Sequence, residues 1–379
     1  MRYKMNICIV SWDSEARYLY KILKDRYEVR YVIERDHRLW GKNANGFDIV
    51  SFGKAYRLFH ENKIDYFLIP CMRGINIKNG IYDRLIRNKI PKDRILYAPL
   101  RVFKDDQLTD KEKRELICKF EDRTEIDYLA LHIADHCNLN CAGCSVFSAL
   151  AEHPSFPGFE ETKEAVKLLK EKFDQVVVFR ILGGEPTLNH KWLEICQWIR
   201  RLYPLADVEI VTNGTTILSM TEKVLKKVQE ERITFDITYY PLLQEKIDDI
   251  NTNLNKYHVK HYITQEMETF SRLYNFDASQ NPRDNYDVCK MKFMCMNMRE
   301  YELGVCHAVF GMERAKGRFS EIEYSDDCKI DIRTKDITAK EIIRKLDRPH
   351  DICAYCNQDL MRWHMLREEN KLNRQEWSI

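Results

Sequence analysis

No stretch of this 379-residue sequence reaches the roughly 18 consecutive apolar residues of a membrane-spanning helix. The opening run MRYKMNICIV lacks the small-residue cleavage site of a secretory leader. Those two absences predict a cytoplasmic protein that needs no membrane. Charge of one sign is lacking too. With 61 Lys and Arg against 59 Asp and Glu, the net charge of +2 removes the electrostatic case for nucleic acid as a partner. Internal repeats and low-complexity tracts are also missing. What the chain does have is cysteine, 13 in all. In a reducing compartment these point to metal, catalysis or burial rather than disulfides. Cys8, Cys71, Cys118 and Cys196 stand alone in apolar or amphipathic segments and read as buried small hydrophobes. The other nine fall in two groups, at 137–144 and 289–356.

Short β-rich runs at 6–10, 28–33, 48–52 and 64–69 alternate with amphipathic stretches such as SEARYLYKILKDR. This predicts a parallel, Rossmann-like α/β domain over 1–104. Glycine is absent from the turn after the first strand, Ser11-Trp12-Asp13-Ser14-Glu15, where a backbone that approaches a pyrophosphate would need it. Dinucleotide binding is therefore not expected; docking or substrate positioning fits better. The charged run 105–124, with Thr109 or Asp110 as cap, reads as a linker helix. From 125 a second α/β series begins. Its strand candidates are 127–134, 176–182, 207–212, 233–239 and 257–263, with helical patterns at 160–172, 190–202, 220–231 and 243–255 between them. Repeated βα units predict a parallel sheet or open barrel with its site at the carboxyl ends of the strands.

Two motifs fall at such ends. Cys137, Cys141 and Cys144 form the CxxxCxxC of HCNLNCAGC, and Gly183-Gly184-Glu185-Pro186 follows the run VVVFRIL. Thiolates suit zinc or iron-sulfur clusters. A closed zinc site needs a fourth ligand, which His132 or His136 could supply, but zinc clips come as separate CxxC pairs. Three thiolates in one loop leave a metal centre with an open position.

Cysteine spacing and GGEP together resemble the radical S-adenosylmethionine (radical SAM) enzymes. The resemblance spans about residues 125–280 and implies a partial (β/α)6 barrel over 125–284. It implies that Cys137, Cys141 and Cys144 hold a 4Fe-4S cluster, with S-adenosyl-L-methionine on the fourth iron. It further implies cofactor contacts from Gly183, Gly184 and Glu185 and from Thr212 and Asn213 of the TNG element, with Asp236 and Thr238 as further contacts. The implied chemistry is reductive cleavage to a 5'-deoxyadenosyl radical, with electrons from a flavodoxin- or ferredoxin-like donor. One departure is Gly143, where many members carry an aromatic residue before the third cysteine.

The second group, within 285–379, resembles the SPASM and twitch extensions that carry auxiliary clusters. Six cysteines are too few for two clusters, so one auxiliary 4Fe-4S cluster is expected. Cys306, Cys353 and Cys356 are common to every assignment; the remaining ligand is Cys289 or Cys295, with CMNMREYELGVC favouring Cys295. Zinc is the alternative occupant, and Cys328 reads as a lone thiol. Arg180 and His132 could meet a polar substrate or serve as an ion pair and a core histidine. The leading expectation is an enzyme that abstracts hydrogen from a sugar, nucleotide-sugar or similar small molecule. The alternatives are a peptide-modifying maturase and a non-catalytic electron-transfer protein.

Overall fold

The computed structural model describes residues 4–10, 14–44, 46–71, 77–152, 154–289 and 296–378. The chain forms two compact units, Met1–Glu125 and Ile126–Ile379. No helix among the described residues is long and apolar enough to cross a membrane.

In the first unit the strands are β1 (Met5–Val10), β2 (Tyr27–Ile33), β3 (Asn43–Ala44), β4 (Phe47–Val50), β5 (Tyr66–Pro70), β6 (Ile95–Ala98) and β7 (Cys118–Lys119). They lie in the order β3-β4-β2-β1-β5-β6-β7, parallel except at the two edges. The helices are α1 (Ser14–Leu23), α2 (Phe52–His60), α3 (Ile77–Arg87), α4 (Leu100–Lys104) and α5 (Asp110–Glu115). Ile7, Ile9, Leu19, Leu23, Val32 and Leu68 are among the residues of its buried core. The glycine-free turn at Ser11-Trp12-Asp13 lies outside the described residues.

The expected linker helix over 105–124 is not formed. Thr109 caps only the six residues of α5, through a reciprocal capping box with Glu112. The chain then returns as β7, antiparallel to β6. Leu116 and Ile117 pack on the core, and Lys113 Nζ donates to Tyr18 Oη at 2.7 Å. Those contacts make the segment part of the first unit.

The second unit is built on β8 (Glu125–Ala134), β9 (Gln175–Gly183), β10 (Asp207–Thr212), β11 (Ile233–Ile237) and β12 (His261–Ile263). Parallel pairing is recorded from β9 through β12, and α6 (Phe159–Lys172), α7 (Trp192–Leu202), α8 (Glu222–Glu230) and α9 (Ile247–Lys256) connect the strands. This is the partial barrel. Phe179, Ile181, Ile210, Phe235 and Ile237 are fully buried within it, as expected for strands covered by helices.

After β13 (Thr269–Tyr274) and α10 (Pro282–Val288), the sheet continues past the boundary expected at 284. β14 (Met296–Arg299) runs parallel to β8, and β15 (Glu302–Gly304) and β16 (Lys329–Asp331) extend it antiparallel. Met298 and Leu303, fully buried in the barrel core, hold this hairpin to the barrel. The remaining elements are α11 (Ala308–Lys316), α12 (Ala339–Leu346) and β17 (Cys356–Arg362), the last antiparallel to β13. A second apolar cluster, including Phe147, Tyr274, Phe276, Val309, Phe310 and Trp377, lies against the cysteine loop.

Candidate active site

The loops after β8, β9, β10 and β11 meet at one cavity of about 200 Å³. Cys137, Cys141 and Cys144 line it together with Gly183, Gly184, Thr212, Asn213, Thr238, Tyr240 and His307. Among the described residues no three His, Cys, Asp or Glu side chains close around a single-ion site; the thiols line the cavity wall instead.

Each sulfur has a polar neighbour. Cys137 Sγ accepts from Leu139 N at 3.3 Å and from Asn213 Nδ2 at 3.4 Å. Cys141 Sγ accepts from the Trp363 indole at 3.2 Å, and Cys144 Sγ lies 3.4 Å from Ser148 Oγ. Burial pushes the Cys141 thiol up to about 12 and raises Cys137 further. Without a cation these thiols keep their protons; a bound metal centre would remove them. Three soft donors with hydrogen-bonding neighbours fit an iron-sulfur cluster with one open position.

The GGEP turn is pressed against the chain entering the cysteine loop. Gly184 N donates to Ala134 O at 2.8 Å and Glu185 N to His136 O at 3.0 Å. A Cβ on Gly183, at φ +140°, would lie 2.0 Å from Ala134 O, and one on Gly184 would lie 1.9 Å from His136 O. Backbone packing within the protein therefore already requires both glycines. Gly143 sits at φ +66°, which accounts for a glycine before the third cysteine.

Glu185 is fully buried and does not line the cavity. Its carboxylate accepts from Thr187 N at 3.1 Å, Thr187 Oγ1 at 2.5 Å, Thr212 Oγ1 at 2.7 Å and Asn213 N at 2.8 Å. It thereby ties the turn after β9 to the turn after β10. Burial raises its pKa, and these hydrogen bonds oppose the rise.

Other expected residues are placed elsewhere. Arg180 forms ion pairs with Asp236 and, at 3.6 Å, with Glu209 on neighbouring strands; neither Arg180 nor Asp236 lines the cavity. His132 is fully buried, with Nε2 2.8 Å from Asn297 Oδ1, and desolvation lowers its pKa to about 4. His136 Nδ1 accepts from Ser155 N at 3.0 Å. Tyr240, His307 and Trp363 are additions that the sequence reading did not select. His307 follows a candidate ligand directly, a signal that could have found it. Nothing local marks Trp363, because its partner in the loop is 222 residues away.

In the second group, Asn285 Nδ2 on α10 donates to Cys353 O at 2.9 Å and Cys356 O at 3.1 Å. Cys289, which ends α10, is close enough to both thiols to perturb them electrostatically. Cys306 and Cys356 act in the same way on the buried Tyr274, whose hydroxyl donates to Ser145 O at 2.7 Å. Cys295 lies outside the described residues. Cys328 is buried in the apolar cluster, with its thiol directed at Ser325 O.

Residues 131–275 match the family model of the radical SAM superfamily. That segment is a radical SAM domain. Similar curated proteins include the GTP 3',8-cyclase of Syntrophomonas wolfei, 28% identical over 145 residues, which are 38% of this chain and 43% of that protein. The GTP 3',8-cyclase of Limosilactobacillus fermentum is 32% identical over 125 residues, 32% of this chain and 36% of that one. The chain thus spans less than half the length of these relatives. Among solved structures, BtrN in complex with AdoMet and 2-DOIA aligns at a TM-score of 0.42 and 16% identity, covering 61% of this chain and 92% of BtrN.

Proposed function

We propose that this chain holds a 4Fe-4S cluster on Cys137, Cys141 and Cys144 and binds S-adenosylmethionine beside it. The pair then serves to abstract hydrogen from a small polar molecule, a sugar or the sugar part of a nucleotide-sugar. The observation that carries the reading is the convergence of three thiols and the Gly183-Gly184 turn on one cavity. When bound, cluster and S-adenosylmethionine supply one-electron cleavage of the sulfonium and a 5'-deoxyadenosyl radical. A flavodoxin- or ferredoxin-like donor provides the electron.

The chain's own residues do the rest. Gly183, Gly184, Thr212 and Asn213 line the cavity together with the thiols and would hold the cofactor, and Glu185 fixes Thr212 and Asn213 from behind. Thr238, Tyr240 and His307 offer hydrogen bonds to a substrate, while Leu182, Val211 and Phe270 exclude water. Among the described residues, no Asp, Glu, Lys or Arg lines this cavity. A neutral polyol suits such a wall, and the phosphates of a nucleotide-sugar, or of GTP, the substrate in the relatives' name, call for cationic side chains beyond it.

Cys289, Cys306, Cys353 and Cys356 are proposed to hold the auxiliary 4Fe-4S cluster, supported by the contacts of α10 with the CAYC segment. Four cysteine ligands leave no iron for substrate, so its role is electron transfer.

The test is anaerobic turnover with a panel of carbon-deuterated sugars, sugar nucleotides and GTP. Deuterium in the 5'-deoxyadenosine product from a sugar supports the reading. Transfer from GTP alone would overturn the substrate class, and no 5'-deoxyadenosine at all would overturn the chemistry.

A further inference from the structure

The cysteine loop is closed by residues from far along the chain. Ala142 N donates to His364 O at 3.0 Å, Leu366 N to Asn140 O at 2.6 Å and Gly143 N to Glu376 O at 2.8 Å. Met365 forms an antiparallel bridge with Cys141. His364 Nε2 and Glu376 Oε2, 2.8 Å apart, join the two ends of this segment. Trp377 stacks on Phe147 with ring centroids 5.0 Å apart, and Ser378 Oγ accepts from Phe276 N at 2.8 Å. Residues 363–378 form a strap across the loop.

The strap acts unequally on the three thiols. It covers Cys141, which is 6% exposed as a residue, while the Cys137 thiol is desolvated by other parts of the loop. It also supplies Cys141 with the Trp363 indole N–H at 3.2 Å. That indole is held by Trp363 N donating to Glu268 O at 2.9 Å and by the Tyr240 ring, 5.3 Å away at 32°. These two effects oppose each other in an iron-sulfur centre. Reduction adds one negative charge, so burial disfavours it. An N–H directed at a ligand sulfur stabilises that added charge and favours it.

We propose that Trp363 is a positioning residue that raises the reduction potential of the cluster through its N–H···S bond to Cys141, offsetting the burial the strap imposes. This rests on the cluster assignment above. One electron, from dithionite in the test and from the external donor in the cell, enters the cluster, and the indole proton stays on nitrogen throughout.

The test follows the reduced-cluster EPR signal that changes on adding S-adenosylmethionine, in the full chain, across a redox titration. Trp363→Phe keeps an aromatic ring but removes the donor. The expected result is a several-fold lower ratio of reduced to oxidised cluster at a fixed potential, with iron content unchanged; a tenfold fall corresponds to about 59 mV for one electron. An unchanged midpoint with the cluster intact overturns the inference alone. Wild-type protein with no such signal overturns the cluster assignment as well. If Trp363→Phe loses iron, wild-type protein labelled with ¹⁵N only in its indoles decides the matter. A hyperfine coupling from an indole nitrogen to the reduced cluster supports the bond, and its absence overturns it.

Discussion

The two cysteine groups reach their sites by opposite routes. Cys137, Cys141 and Cys144 share one loop after one strand, so sequence spacing alone brings them near each other. Cys289, Cys306, Cys353 and Cys356 come from the end of α10, the segment after β15 and the turn into β17, and only tertiary structure can gather them. The first group is braced by backbone: the main chain of the Gly183-Gly184-Glu185 turn and the strap both hold the loop. Bracing of the second group includes side-chain bonds such as those of Asn285. A site held by main chain is fixed by spacing and small residues. One held by side chains depends on many separate identities.

The largest expected effect separates the two groups outright. Replacing Cys137, Cys141 and Cys144 together by Ala should abolish 5'-deoxyadenosine formation and remove about half of about eight irons per chain, read by iron analysis and product chromatography. Cys353→Ala with Cys356→Ala should also remove about half the iron yet leave S-adenosylmethionine cleavage in place. Equal loss of cleavage in both variants would erase the distinction.

Next in size is Gly184→Ala. A Cβ 1.9 Å from His136 O cannot be accommodated without moving main chain, so a loss of about 3 kcal/mol or more in denaturant unfolding is expected. A variant as stable as wild type would mean that the loop is softer than its packing implies.

Glu185→Gln should cost about 1–3 kcal/mol, because an amide group then faces donors that need an acceptor. Calorimetry should show the lower melting temperature, and titration should show weaker S-adenosylmethionine binding with iron retained. Weaker binding with unchanged stability would favour a direct cofactor contact over bracing.

The smallest effect concerns Asp135, between β8 and the first cysteine. Burial works to raise its pKa, but the Arg299 hydrogen bond and the Arg314 charge bring it down to about 2. A depressed carboxylate pKa contributes stability that is complete above its ordinary value of 3.8 and is lost as pH falls toward 2. The contribution is about 2 kcal/mol. Unfolding measured between pH 5 and pH 2 should therefore show a steeper acid loss in wild type than in Asp135→Asn.

What was legible in the sequence follows the same division. The five barrel strands and their four helices were readable because apolar alternation and helical spacing are local. The cysteine loop and GGEP were readable because each motif is contiguous. The short reach of α5 was hidden, since the charged run 105–124 contains both its helix and the β7 return. The joining of the β14–β15 hairpin to the barrel sheet was hidden because its partner β8 lies far upstream. The hydrogen bonds that Glu185 accepts from Thr212 and Asn213 were hidden because nothing near it in sequence reveals those donors. The ion pair left open for Arg180 is formed, and its partners Glu209 and Asp236 could not be named from sequence because the pairing spans three strands.

The clasp between Trp363 and Cys141 also sets an order of events during synthesis. While the ribosome is still translating the barrel and the hairpin after it, the three thiols exist but their loop lacks the main-chain partners at His364, Leu366 and Glu376. The loop reaches its final shape only after residues some 222 positions beyond Cys141 have emerged. Arrival of the strap then completes the main-chain pairing of the loop.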